Sequence, residues 1–176
     1  MKYLVRLFVI FLITFSISVS KAEENIVLAY IDMEKVFNES LAGKSLIGQL
    51  EEMHKLNLIE FEKIKKKLKS QEETILSQKN ILSDEDYEKK VFLLKKEINN
   101  YKDSRNEKIN LISKKKADGT KKLLKQLNPI LAGYSKDNNI SIIFRKKDIV
   151  IAKTHLDITN KIIELVNTKV KKISLN

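Results

Sequence analysis

The sequence predicts a mostly helical α+β fold, a long antiparallel helical hairpin standing on a small β-rich body. Three observations carry this. Apolar residues recur at steps of three and four through most of residues 44–137. Leu82-Ser83-Asp84-Glu85 breaks that rhythm near its middle, as a reversal would. Short β-branched runs lie only at the ends, at residues 26–31, 140–144 and 149–152.

The chain has 176 residues and opens on a segment that is not part of this fold. Lys2 and Arg6 precede an apolar stretch at residues 7–19, and Ser20-Lys21-Ala22 places small residues where a signal peptidase cuts. That stretch is shorter than the roughly 20 apolar residues of a membrane-spanning helix. Residues 1–22 are therefore expected to be an export signal, and the destination a periplasm. No cysteine is present, which excludes a lipid-anchored lipoprotein, disulfides and thiol chemistry.

Residues 23–43 read as the first part of the body. The run at residues 26–31 is apolar throughout, as a strand buried on both faces would be. Asp32 caps a short helix from Met33 to about Asn38, and Gly43 supplies freedom before the long helix. The hairpin occupies residues 44–138. Its outgoing helix carries a seam at Leu46, Leu50, Met53, Phe61, Ile64, Leu68, Ile75 and Leu82, with Asn57, Gln71 and Gln78 on the same stripe. From Leu46 to Leu82 it would span about 55 Å.

Ser83 caps the return helix, with Asp84, Glu85 and Asp86 in its first turn, where a helix favours negative charge. The return seam reads Tyr87, Val91, Leu94, Ile98, Tyr101, Ile109, Ile112, Leu123, Leu127, Ile130 and Tyr134. With the reversal centred on Asp84, facing residue numbers total about 169. This sets Ile75 against Leu94, Leu46 against Leu123 and Gly119 near Leu50, and pairs Arg105 with Glu60 or Glu62. Asn128-Pro129 predicts a kink, Asn128 capping and Pro129 opening the last turns.

Residues 139–176 complete the body. The runs at 140–144 and 149–152 read as two strands joined by a polar turn. Asp157 then caps a helix with Ile158, Ile162, Leu165 and Val166 on its inner face, and Val170 a turn further. Three strands and two short helices cannot cover both faces and edges of a sheet, so a homo-oligomer is expected.

With residues 1–22 removed, 31 basic and 23 acidic residues remain, and residues 44–137 hold 22 and 15 of them. Nearly all the positive excess lies along the hairpin, which would steer it towards anionic partners. The quieter reading is a solvated helix surface knit by pairs such as Glu62–Lys66 and Glu85–Lys89. His54 and His155 have no ligand spacing, and the four glycines form no phosphate loop. Neither an enzyme nor a cofactor is expected. Nucleic acid is not expected either, given the export signal and the lack of a groove-reading motif.

Ile31-Asp32-Met33-Glu34-Lys35-Val36, then Ser40, Ala42-Gly43-Lys44 and Leu50-Glu51, resemble the N-terminal pattern of the OmpH/Skp periplasmic chaperones. The late strands followed by Asp157-Ile158-Thr159 and an apolar helix are similar to that family's C-terminus. The resemblance covers nearly all of the chain after the signal. It implies a homotrimer, with the β-rich body as its trimerisation unit and three tentacles around a cavity that holds unfolded outer-membrane proteins without ATP. No strict site residues carry over, and the Asn128-Pro129 break departs from the pattern.

A holdase of this kind needs apolar surface beyond the seam. Ile47, Leu58 and Leu76 on the outgoing helix, and Phe92, Leu93 and Leu111 on the return helix, flank it and are the candidate client contacts. Lys63, Lys65, Lys66, Lys67 and Lys69, then Lys89, Lys90, Lys95 and Lys96, then Lys114, Lys115 and Lys116 are the candidate electrostatic capture residues. They would serve acidic clients or anionic lipid and lipopolysaccharide surfaces. The alternative function is a structural coiled-coil adaptor of a cell-envelope complex.

Overall fold

In the computed structural model residues 26–175 are described, and the export signal expected at 1–22 lies outside them. Strand β1 (Val27–Ile31) leads into helix α1 (Met33–Glu39). Two long helices follow, α2 (Leu41–Ser77) and α3 (Asp84–Asp137). Strand β2 (Ile140–Arg145), two short 3-10 turns and helix α4 (Thr159–Lys169) complete the order.

β1 and β2 pair in parallel, with Leu28 against Ile142 and Tyr30 against Phe144. Parallel neighbours need a long crossover between them. Here the crossover is the entire hairpin, so the sheet fastens the base of both arms at once. The strand expected at 149–152 does not form. Lys146–Asp148 is a 3-10 turn, which does not fold the chain back as a hairpin turn would, and Val150 and Ile151 stand fully exposed. The other edge of β1 is taken by Asp157, which bridges to Tyr30, while Ile158 N–H donates to the Tyr30 carbonyl at 3.0 Å.

Side chains set the helix starts. Asp32 accepts from Lys35 N–H at 3.0 Å and caps α1. Ser40 N–H closes α1 on the Val36 carbonyl at 3.1 Å, and its hydroxyl caps α2 by accepting from Gly43 N–H at 3.1 Å. One residue thus serves both helices, and α2 begins at Leu41, three residues before the expected Lys44. Gly43 lies inside this turn, so its role is close approach rather than freedom. A Cβ there would overlap the Phe37 carbonyl.

The outgoing seam is as expected: Leu46, Phe61, Leu68 and Ile75 are buried, and Leu50, Met53, Asn57, Ile64, Gln71 and Gln78 half-buried. The return seam agrees from Tyr87 to Tyr101 and then departs. It passes through Ser104 and Lys108 to Ile112, leaving Arg105 and Ile109 exposed. Ile109 lies about 80° around the helix from Tyr101, so its apolar character had no matching phase. The expected Arg105 pair is made instead by Lys108, which bonds Glu60.

Glu60–Lys108, Gln71–Glu97 and Gln78–Lys90 have residue numbers totalling 168, one from the expected register. At the root Gly119 packs directly against the Leu46 side chain. The reversal itself occupies residues 78–83, before the expected centre, and Ser83 caps α3 by accepting from Asp86 N–H at 3.2 Å.

α3 continues as one helix of 54 residues through Pro129. The expected break does not open a new helix there. Leu127 and Ile130 are buried in the core on either side, while Asn128 and Pro129 face solvent, where the lost hydrogen bond is least costly. Asn139, at φ 51°, turns the chain from α3 into β2.

The core lies at the base, where Leu123, Leu127 and Ile130 of α3 meet Ile31, Val36, Ala42 and one face of α4. That face consists of Ile158, Ile162 and Val166 with Ile163 added, while Leu165 is half-buried. The N-cap of α4 is Ile158 and not the expected Asp157, which sits one residue earlier and accepts from Thr159 N–H at 2.9 Å. The helix stops at Lys169, and Val170, expected within it, is the C-cap.

Candidate functional site

Along the arm the seam is only one residue wide on each helix, so any apolar residue outside it faces water. Leu58, Leu76, Phe92, Leu93 and Leu111 do so, each between 47 % and 66 % exposed. Ile47 is half-buried. Sequence reasoning passed over Leu56 and Ile59, which are also exposed, and Ile81 at the tip, which is 82 % exposed. Ile81 sits in the reversal, where no helical periodicity exists to place it.

These residues are strung along the arm rather than gathered. Ile47 and Leu58 share an open groove of about 410 Å³ with Leu50, His54, Ile112 and Lys116. Leu93 lines a second, of about 310 Å³, with Ile75, Gln78 and Lys90. Leu111 borders a third near the root, whose other walls are mainly lysines. Leu76 and Phe92 lie outside all three.

The lysines divide into tethered and open. Lys67 pairs with Glu97 across the hairpin at 3.4 Å, Lys65 with Glu62 and Lys69 with Glu73, both at 3.8 Å. Lys90 donates to Gln78 at 2.7 Å and Lys115 to the Leu175 carbonyl at 2.5 Å. Lys63, Lys66, Lys89, Lys95, Lys96, Lys114 and Lys116 are exposed. Of the two expected i,i+4 pairs neither forms: Glu62 turns to Lys65, and no ion pair joins Glu85 to Lys89. Exposed pairs of this kind contribute less than about 1 kcal/mol each, so such exchanges are nearly free.

The resolved electrostatic shifts lie in the body and in α4. The Asp32 carboxyl is held below its ordinary range, first by the Lys35 backbone N–H and then by Lys146, whose ammonium donates to it at 3.1 Å. The same contact raises Lys146, and Glu164 raises Lys161. Among the described residues no group of three or more His, Cys, Asp or Glu is placed to hold a metal. No described helix is long and apolar enough to cross a membrane.

A second apolar surface lies on the body. Ile142 and Phe144 of β2 and Leu28 of β1 are exposed on the sheet, and Val150 and Ile151 stand out beyond it. Clustered exposure of this kind marks an interaction surface more often than scattered single residues do.

A comparison with curated protein sequences returns no match. Among solved structures, the chain is similar to a candidate outer membrane chaperone (OmpH-like) from Caulobacter crescentus, with a TM-score of 0.79 at 13 % identity, over 85 % of this chain and 88 % of that one. At that identity the likeness concerns the fold. The sequence model of the family described as "Outer membrane protein (OmpH-like)" matches residues 27–166, from β1 into α4, and so covers strands, hairpin and terminal helix together. The protein belongs to the OmpH-like family of outer membrane proteins.

Proposed function

We propose that the protein is an ATP-independent holdase chaperone of the periplasm, which captures unfolded outer-membrane proteins and keeps them from aggregating in transit. The reading begins with export: residues 1–22 direct the chain across the inner membrane and are removed. The observation that carries it is the arm. Two helices joined by a single seam leave Leu58, Leu76, Phe92, Leu93 and Leu111 facing outward on a lysine-rich surface. Such a surface attracts an acidic chain at long range and holds its apolar segments at short range.

Three copies joined through the exposed sheet surface would set three arms around one cavity, with Ile47 and its groove near the mouth. The resemblance to the OmpH/Skp chaperones supplies the number three, and the apolar sheet surface supplies the reason to associate. Anionic lipid or lipopolysaccharide headgroups are secondary partners for the open lysines.

The test is dilution of a urea-unfolded outer-membrane β-barrel protein into the mature protein, with light scatter and complex mass as readouts. Suppressed aggregation at one trimer per client is expected. Capture should slow as salt rises while the held complex changes little, because salt screens the approach and not the apolar contact. Aggregation unaffected by the protein would leave the hairpin as a structural adaptor of an envelope complex.

A further inference from the structure

The root of the hairpin already holds a peptide. Beyond α4, residues 170–175 cross the groove between α2 and α3 without joining a helix or a strand. Ile173 and Leu175 are buried and Ser174 between them is exposed, the alternation of an extended segment. Four hydrogen bonds reach their main chain. Gln49 Nε2 donates to the Ile173 carbonyl at 2.6 Å, and Gln49 Oε1 accepts from Leu175 N–H at 3.4 Å. Lys122 donates to the Ser174 carbonyl at 2.9 Å and Lys115 to the Leu175 carbonyl at 2.5 Å.

Bonding the carbonyl of one residue and the N–H of the second residue on is what a parallel β-strand neighbour does. Gln49 therefore stands in for a strand and reads extended backbone with no demand on sequence. Beneath the tail, Gly119 provides the depth. A Cβ there would overlap Leu46 Cδ1 and come within 2.7 Å of Leu175 Cδ2. About 450 Å³ of open space adjoins Leu175, bordered by Leu111, Lys114, Lys115 and Lys121.

We propose that this groove is a binding site for extended polypeptide with apolar residues at alternate positions, and that residues 170–175 occupy it until a client strand displaces them. The proposal rests on the chaperone reading above. Strands of outer-membrane barrels alternate apolar and polar residues with a period of two, the spacing of Ile173 and Leu175. The tail competes from within the same chain, at an effective concentration in roughly the millimolar range. A short free peptide would therefore displace it poorly. A long client that also engages the arm gains from several contacts at once and can do so.

The chain has no cysteine, so Ser174→Cys gives a single attachment point for a nitroxide spin label on the full-length protein. In the free protein the label should be restricted, and it should become mobile in the isolated complex with an unfolded β-barrel protein. The same label at Lys172→Cys guards against a local effect of the Ser174 change. A complex in which both labels stay restricted overturns this proposal and leaves the chaperone reading standing. Absence of any complex removes both, and labels already mobile without client overturn the groove as the tail's site. Leu175→Ser weakens the internal competitor and should tighten client binding about tenfold. A strap with only a structural role predicts unchanged or weaker binding.

Discussion

Around Leu123 and Leu127 the hairpin is gripped from several sides, whereas around Leu68 and Leu94 its two helices hold only each other. At the root those leucines pack against α1, α4, the sheet and Ile173 of the tail, and are almost fully buried. Along the arm the buried residues are Phe61, Leu68, Ile75 and Leu94, the last three forming a small cluster edged by Tyr87, Val91, Tyr101 and their neighbours. Phe61 and Tyr101 meet edge to face at 5.9 Å between ring centres. The same pair of helices is thus a core element at one end and a solvated two-helix strip at the other. Local opening should cost least where apolar packing is thinnest, which places mobility in the arm and rigidity in the root. An arm with the proposed holdase role would benefit from that gradient.

The contrast can be broken first at its strong end. Leu127→Ala removes a side chain with no room to collapse around the gap, and should lower the unfolding free energy by about 2–5 kcal/mol in a denaturant titration. Gly119→Val should cost about 1–3 kcal/mol by forcing Leu46 and Leu175 apart, and should release the tail, seen as protease sensitivity near residue 175. Asp32→Ala removes the α1 cap and the Lys146 partner, at about 1 kcal/mol near neutral pH.

That last effect has a sign with pH. The folded carboxyl titrates below its unfolded value of about 3.9, so its contribution is present above that value and is lost as pH falls through the folded pKa. Asp32→Ala and the parent chain should converge in acid. At the weak end, Leu94→Ala should speed amide exchange on both sides of the reversal while moving global stability by less than about 1 kcal/mol. A large global loss would mean that arm and root unfold as one unit, and the contrast would fall. Smallest of all, Glu60→Ala should change stability by no more than about 0.5 kcal/mol, since its pair with Lys108 is largely exposed.

Much of this was legible in the residues because it depends on near neighbours along the chain. Steps of three and four placed the outgoing seam from Leu46 to Ile75, whereas Leu82, expected on the same helix, lies in the reversal beyond Ser77. Ser83 and Asp32 marked helix starts that their side chains do cap. The errors share a cause. Ile109 and residues 149–152 were placed by apolar or β-branched character alone, without a partner to confirm their phase or pairing. The six candidate apolar contacts were found by their offset from the seam, and Ile81 was missed because the turn has no offset to measure.

Local spacing therefore determined the helices, the reversal, the seam and the even dress of lysines. Which ends meet was decided only in three dimensions. β1 pairs with β2 across more than a hundred intervening residues, Asp157 rather than a third strand closes its other edge, and the tail lies against Gln49 at the root. A helix's hydrogen bonds are made within four residues, so its signal is written locally. Strand partners and the seat of an extended tail are set by whichever distant groups remain unpaired once the helices have packed. No short stretch of residues carries that information.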